Sequence, residues 1–199
     1  MRLKPEGFGT SVTPDGRALV YSFILDPGPN LHREVWQMPL EGDRTPTPVL
    51  QGQFAYASAE LSPDGKWLAY NSNESGQWEI YIQAYPGLGA KTPVSIGGGQ
   101  ELVWSPDGSE IYYRSGQKMM AVSVRTNPTL QVGGPHELFE GTQFTAGAGG
   151  ARQYHIAPDG RFLMVREGEA ATGASQTQFD HLVVVENWFD ELRRLAPVD

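Results

Sequence analysis

The feature that most limits what this chain can fold into is a tripeptide. Pro-Asp-Gly occurs at Pro14-Asp15-Gly16, Pro63-Asp64-Gly65, Pro106-Asp107-Gly108 and Pro158-Asp159-Gly160. Its surroundings repeat as well. A bulky apolar residue stands two places before each proline (Val12, Leu61, Trp104, Ile156), with a small residue between them (Thr13, Ser62, Ser105, Ala157). After a short polar step comes an apolar and aromatic run: residues 18–21, 67–70, 111–113 and 162–165. One copy is only a turn. Four copies with shared flanks are a repeat, and a repeat decides the architecture.

Each unit reads as a hairpin. Ser or Thr suits the first turn position, Pro presets φ at the second, Asp bonds back to local backbone, and Gly supplies a left-handed φ. The flanking runs are β-branched and aromatic, as strands prefer. Third strands are expected at 34–38, 78–82, 119–124 and 179–185. Weaker fourth strands are expected at 47–50, 93–96 and 137–139. Four strands in a repeat of about 40–50 residues make a propeller blade. The expected fold is all-β: four four-stranded blades, read as part of a larger ring, at about 1–52, 53–98, 99–141 and 142–186.

In place of a last fourth strand, residues 187–199 predict a short capping helix and tail. Asn187 suits the N-cap, Asp190 nears a capping box, Trp188, Leu192 and Leu195 share a face, and Pro197 ends the run. Two Gly-rich stretches, 141–150 and 168–175, read as loops.

Composition narrows the function. With 15 Lys+Arg against 23 Asp+Glu the net charge is -8, and no basic stripe exists to neutralise phosphates, so no nucleic-acid partner is expected. Cysteine is absent, which excludes disulfides, a thiol nucleophile and cysteine-based zinc sites. No window is apolar over the length of a membrane span, and the N-terminus lacks a signal-peptide core. Membrane insertion by this chain is not expected.

Enzyme chemistry finds no foothold. Gly173-Ala174-Ser175 and Gly9-Thr10-Ser11 lack the closing glycine of a nucleophile elbow. His32, His136, His155 and His181 are scattered without metal-ligand spacing. The stretch Asn71–Gly76 is rich in oxygen ligands but lacks the acidic alternation of a calcium loop. Asp15, Asp64, Asp107 and Asp159 belong to equivalent turns of different blades, so they are structural. Catalytic residues, metals and cofactors are all expected to be none. The remaining candidate is the mouth of the propeller axis, where the inner strands begin. There Glu60, Gln100, Glu101, Arg152, Gln153, Tyr154 and His155 cluster.

Ser62-Pro63-Asp64-Gly65-Lys66-Trp67-Leu68-Ala69-Tyr70 followed by Trp78-Glu79-Ile80-Tyr81-Ile82 resembles the repeat of TolB-like propellers. The stretches 120–124, 138–141, 157–164 and 187–195 resemble the tail of bacterial multidomain serine/threonine protein kinases, in which such a propeller follows a signalling domain. That resemblance implies a non-catalytic sensory or scaffold module of a bacterial signalling or cell-envelope protein. It is extracytoplasmic if the parent is membrane-anchored. Kinase motifs are absent, and TolB-like propellers usually have six or more blades, so the missing parts are expected N-terminal to Met1. The expected partner is a protein or peptide, or a small ligand at the axis, and open blade faces are expected to allow a homodimer. The alternative is the gating propeller of a prolyl-oligopeptidase-type peptidase, or a propeller-based carbohydrate-active enzyme without its catalytic part.

Overall fold

A computed structural model describes residues 7–26, 32–87, 89–141 and 152–164. Regular structure among them is entirely strand. The third strand expected at 179–185, the helix at 187–199 and the loops at 142–150 and 168–175 lie outside the described residues.

Blade 1 comprises β1 (Gly7–Val12), β2 (Ala18–Asp26), β3 (His32–Pro39) and β4 (Thr47–Leu50), antiparallel in that order. Blade 2 repeats it with β5 (Tyr56–Leu61), β6 (Trp67–Ser72), β7 (Glu79–Ala84) and β8 (Thr92–Pro93). The outer strand of blade 2 is shorter than the expected 93–96 for a visible reason. Ser95 leaves the ladder and its hydroxyl accepts the Ile80 N–H at 2.8 Å, replacing a backbone acceptor.

Blade 3 comprises β9 (Gln100–Trp104), β10 (Glu110–Ser115) and β11 (Lys118–Arg125), with two short strands on β11, namely β12 (Gln131–Val132) and β13 (His136–Glu140). The pair is in effect one edge strand broken at Gly133-Gly134-Pro135. Proline cannot donate to a ladder, and Gly133, whose N–H still reaches Ser123 O at 2.8 Å, lies so close to Ser123 that a Cβ there would sit 2.4 Å from its Oγ. Sequence reading saw only 137–139 of this edge. Blade 4 is described as the hairpin β14 (Tyr154–Ile156) and β15 (Phe162–Met164).

The first three turns are built alike. The Thr13 hydroxyl donates to Asp15 Oδ1 at 2.6 Å and accepts the Ala18 N–H at 2.9 Å. Ser62 and Ser105 do the same for Asp64 with Trp67, and for Asp107 with Glu110. Gly16, Gly65 and Gly108 close the turns at φ of 71°, 70° and 73°. These hydrogen bonds hold the aspartates below the usual carboxylate range. Asp107, with bonds from Ser105 and Ser109, is lowered to about 2.

The fourth turn differs. Ala157 has no hydroxyl, and its N–H bonds Arg161 O, one residue earlier than in the other turns. Pairing shifts accordingly: Ile156 faces Phe162, whereas Val12 faces Leu19 and Trp104 faces Ile111. A one-residue slip exchanges the two faces of a strand. Phe162 and Met164 therefore turn towards blade 3, and Leu163 is left 73% exposed.

The core consists of three clusters, each between successive blades. Val20, Val35 and Leu50 meet Leu61, Leu68, Tyr70 and Tyr81. Ala69, Ile80, Ile82 and Val94 meet Leu102, Trp104, Ile111 and Tyr113. Val103 and Met119 meet Tyr154 and Ile156, with Phe162 edge-on to Tyr112 and Phe139. Burial of these side chains is the main stabilising term, about 1.5–3 kcal/mol for each large one. The turns add a second contact: a Cβ on Gly65 would lie 3.0 Å from the Pro14 ring, and one on Gly108 3.3 Å from Pro63.

Candidate functional site

The inner strands β1, β5 and β9 are each interrupted by a bulge before the turn. A bulge bends the strand and changes where side chains point. Two bulged residues lie in the left-handed region although neither is glycine: Ser58 at φ 48° and Glu101 at φ 55°. Such a conformation costs of order 1–3 kcal/mol and persists only where surrounding contacts hold it. For Glu101 those contacts are on blade 4. Its carboxylate accepts the Gln153 N–H at 3.1 Å, and its carbonyl accepts the Tyr154 hydroxyl at 2.5 Å. Glu101 is 3% exposed and Tyr154 5%.

Glu60 makes the longer reach. Its Oε2 accepts from Arg152 Nη1 at 3.0 Å, so an ion pair joins the inner strand of blade 2 to the start of that of blade 4. Blade 3 lies between them in sequence and contributes too, through the Trp104 indole N–H to Glu60 O at 3.2 Å. Burial pushes the Glu60 carboxyl up to about 7 against the opposing pull of Arg152. Burial likewise raises the Tyr154 hydroxyl well above its ordinary value. The pair keeps some contact with solvent, at 19% side-chain exposure for Glu60 and 31% for Arg152.

Five of the seven residues singled out in the sequence thus come together: Glu60, Glu101, Arg152, Gln153 and Tyr154. Gln100 and His155 are exposed, and the described contacts do not draw them into the cluster. Sequence reading missed Trp104 as a donor here. It also missed Arg114, buried in β10 and donating to Gly116 O at 3.1 Å. The signal existed: counted from Pro-Asp-Gly, Arg114 holds the place of Ser22 and Asn71, and all three are buried polar residues of a second strand.

The other candidates are accounted for as structure. Asp15, Asp64, Asp107 and Asp159 sit in their turns. Asn73 receives the Ala55 N–H at 2.9 Å and the Gly76 N–H at 3.0 Å, so the oxygen-rich stretch is a hydrogen-bonded turn. Among the described residues no group of three His, Asp or Glu could hold a metal ion, and no helix is long and apolar enough to cross a membrane.

No family model matches the chain, and no curated protein does. Solved structures do. A TolB protein from Agrobacterium tumefaciens superimposes with a TM-score of 0.55 at 18% identity, over 70% of this chain and 51% of that one. TolB from Acinetobacter baumannii gives 0.52 at 20%, over 77% and 41%. A puromycin-hydrolysing peptidase from Mycobacterium tuberculosis gives 0.57 at 21%, over 76% and 26%. The fold is therefore that of TolB-like propellers. The chain spans about half or less of the length of these proteins.

Proposed function

We propose that this chain is a non-catalytic binding propeller, the sensory or protein-interaction module of a bacterial signalling or cell-envelope protein. It would take a protein or peptide segment at the inner-strand end marked by Glu60, Glu101, Arg152, Gln153 and Tyr154. The observation that carries this reading is the Glu60–Arg152 pair. Two non-consecutive blades spend a charged, partly solvated pair on one spot, where an apolar contact would have served stability as well. An acid and a base side by side, the acid largely buried and the base in partial contact with water, can exchange each other for backbone or side-chain groups of a ligand. The blade boundaries at about 52, 98 and 141, and a capping role for residues 187–199, belong to the same proposal.

The test is a panel of short acidic, basic and neutral fluorescent peptides titrated against the whole chain by anisotropy. The reading expects binding that Glu60→Gln or Arg152→Gln weakens about tenfold while Asp159→Asn leaves it unchanged. Binding indifferent to both mouth substitutions, or none across the panel, contradicts it.

The likeness to the Mycobacterium tuberculosis peptidase supports a second reading, in which the chain is the gating part of a peptidase. That reading expects no peptide binding at the mouth. It also expects activity to appear only when a hydrolase domain is joined to the chain.

A further inference from the structure

Because the blades repeat, the interface between any two of them shows what an uncovered blade face would accept. In blade 2 the face turned back towards blade 1 carries Leu61, Leu68 and Tyr70, with exposures of 5%, 0% and 2%. In blade 3 the same positions are Trp104, Ile111 and Tyr113, at 5%, 0% and 1%. Blade 1 has the corresponding side chains, Val12, Leu19 and Tyr21, flanked in register by Trp36 and Met38. Here Val12 is 51% exposed and Leu19, Trp36 and Met38 are half-buried, while Tyr21 stays buried at 7%. The space beside Gly65 and Gly108 is taken by the proline of the preceding blade, and beside Gly16 there is room for one: no described atom lies within 4 Å of a Cβ there, as none does at Gly160 in blade 4. Blade 1 therefore presents the receiving half of a blade–blade interface.

The same chain carries the donating half. The slipped register of blade 4 turns Leu163 outward at 73% exposure, on the face opposite Phe162 and Met164. Pro158 beside it is exposed, in the position from which Pro14 reaches Gly65. We propose that blade 1 of one copy docks blade 4 of a second copy, head to tail, with Val12 against Leu163 and Pro158 seated at Gly16. Since each copy holds both halves, two such contacts close around a two-fold axis. The apolar edge is of the kind that drives association when left open. This inference goes beyond the binding-module reading and does not rest on it.

Light scattering coupled to size exclusion on the whole chain, across a dilution series, tests it. The wild type is expected to be a dimer that dissociates on dilution. Val12→Asp and Leu163→Glu, both at exposed positions, should each weaken association about tenfold or more with the far-ultraviolet circular dichroism retained. An equimolar mixture of the two variants should regain dimer, because it keeps one intact head-to-tail contact. A monomeric wild type, a dimer indifferent to both substitutions, or a mixture that stays monomeric would overturn the proposal.

Discussion

Two regions built from the same tripeptide behave differently. In blades 1 to 3 a Ser or Thr hydroxyl precedes Pro-Asp-Gly, and the hairpin closes over five residues. In blade 4 Ala157 stands there and the hairpin closes one residue sooner. The hydroxyl explains the difference. The longer loop leaves one strand N–H without a backbone acceptor, and the Ser or Thr oxygen takes it. Alanine cannot, so the shorter loop wins and the second strand turns over. One missing oxygen thereby decides which side of blade 4 is apolar.

The largest expected effect breaks the turn-on-turn contact. Gly65→Ala forces an L residue to hold φ 70° and pushes a methyl group against the Pro14 ring, with a loss of about 2–3 kcal/mol. Gly160→Ala meets only the φ cost, about 1–2 kcal/mol. Urea unfolding of both measures the gap. Equal losses would remove the Pro14 contact from the account.

Ser105→Ala comes next. It strands the Glu110 N–H or shortens the turn as in blade 4, and either should cost about 1–2 kcal/mol. The reciprocal change, Ala157→Ser, sharpens the comparison instead. It should restore the five-residue closure and draw Leu163 inward, read as new nuclear Overhauser contacts between its methyls and the blade 3 aromatics. An unchanged register would show that something other than the hydroxyl sets it.

The smallest effect lies in the titration of the turns. Asp107 is depressed to about 2, below its ordinary 3.8, so the folded state holds this proton less tightly than the unfolded one. Its contribution is present above pH 3.8 and is lost as pH falls through about 2. Asp107→Asn should remove that part of the acid sensitivity. Because the side chain is open to water the change is small. Glu60 has the opposite sign. Raised from 4.5 to about 7, it favours the fold below pH 4.5, and that advantage is lost as pH rises through 7. Glu60→Gln should flatten the stability profile between those values.

How much of this was legible in the sequence follows from what repeats. The hairpins, the blade pattern and the turn roles of Asp15, Asp64 and Asp107 were readable because four copies restate one rule. The slip in blade 4 was not, although Ala157 was in plain view. A turn one residue shorter fits the same letters, and only pairing reveals it. Glu60, Glu101 and Tyr154 were legible as polar residues near the expected starts of the inner strands, but the left-handed bulge at Glu101 was not. Nor was it legible that Glu60 and Arg152 would meet. Residues 92 apart on non-consecutive blades are joined by curvature, which no local pattern encodes.

That meeting is the central claim, because the proposed binding site depends on it. A double-mutant cycle with Glu60→Gln, Arg152→Gln and the pair, measured by urea unfolding at pH 8 where Glu60 is ionised, tests it directly. A coupling of at least about 0.5–1 kcal/mol is expected. Additivity within about 0.3 kcal/mol, the behaviour of sites that do not touch, would contradict it.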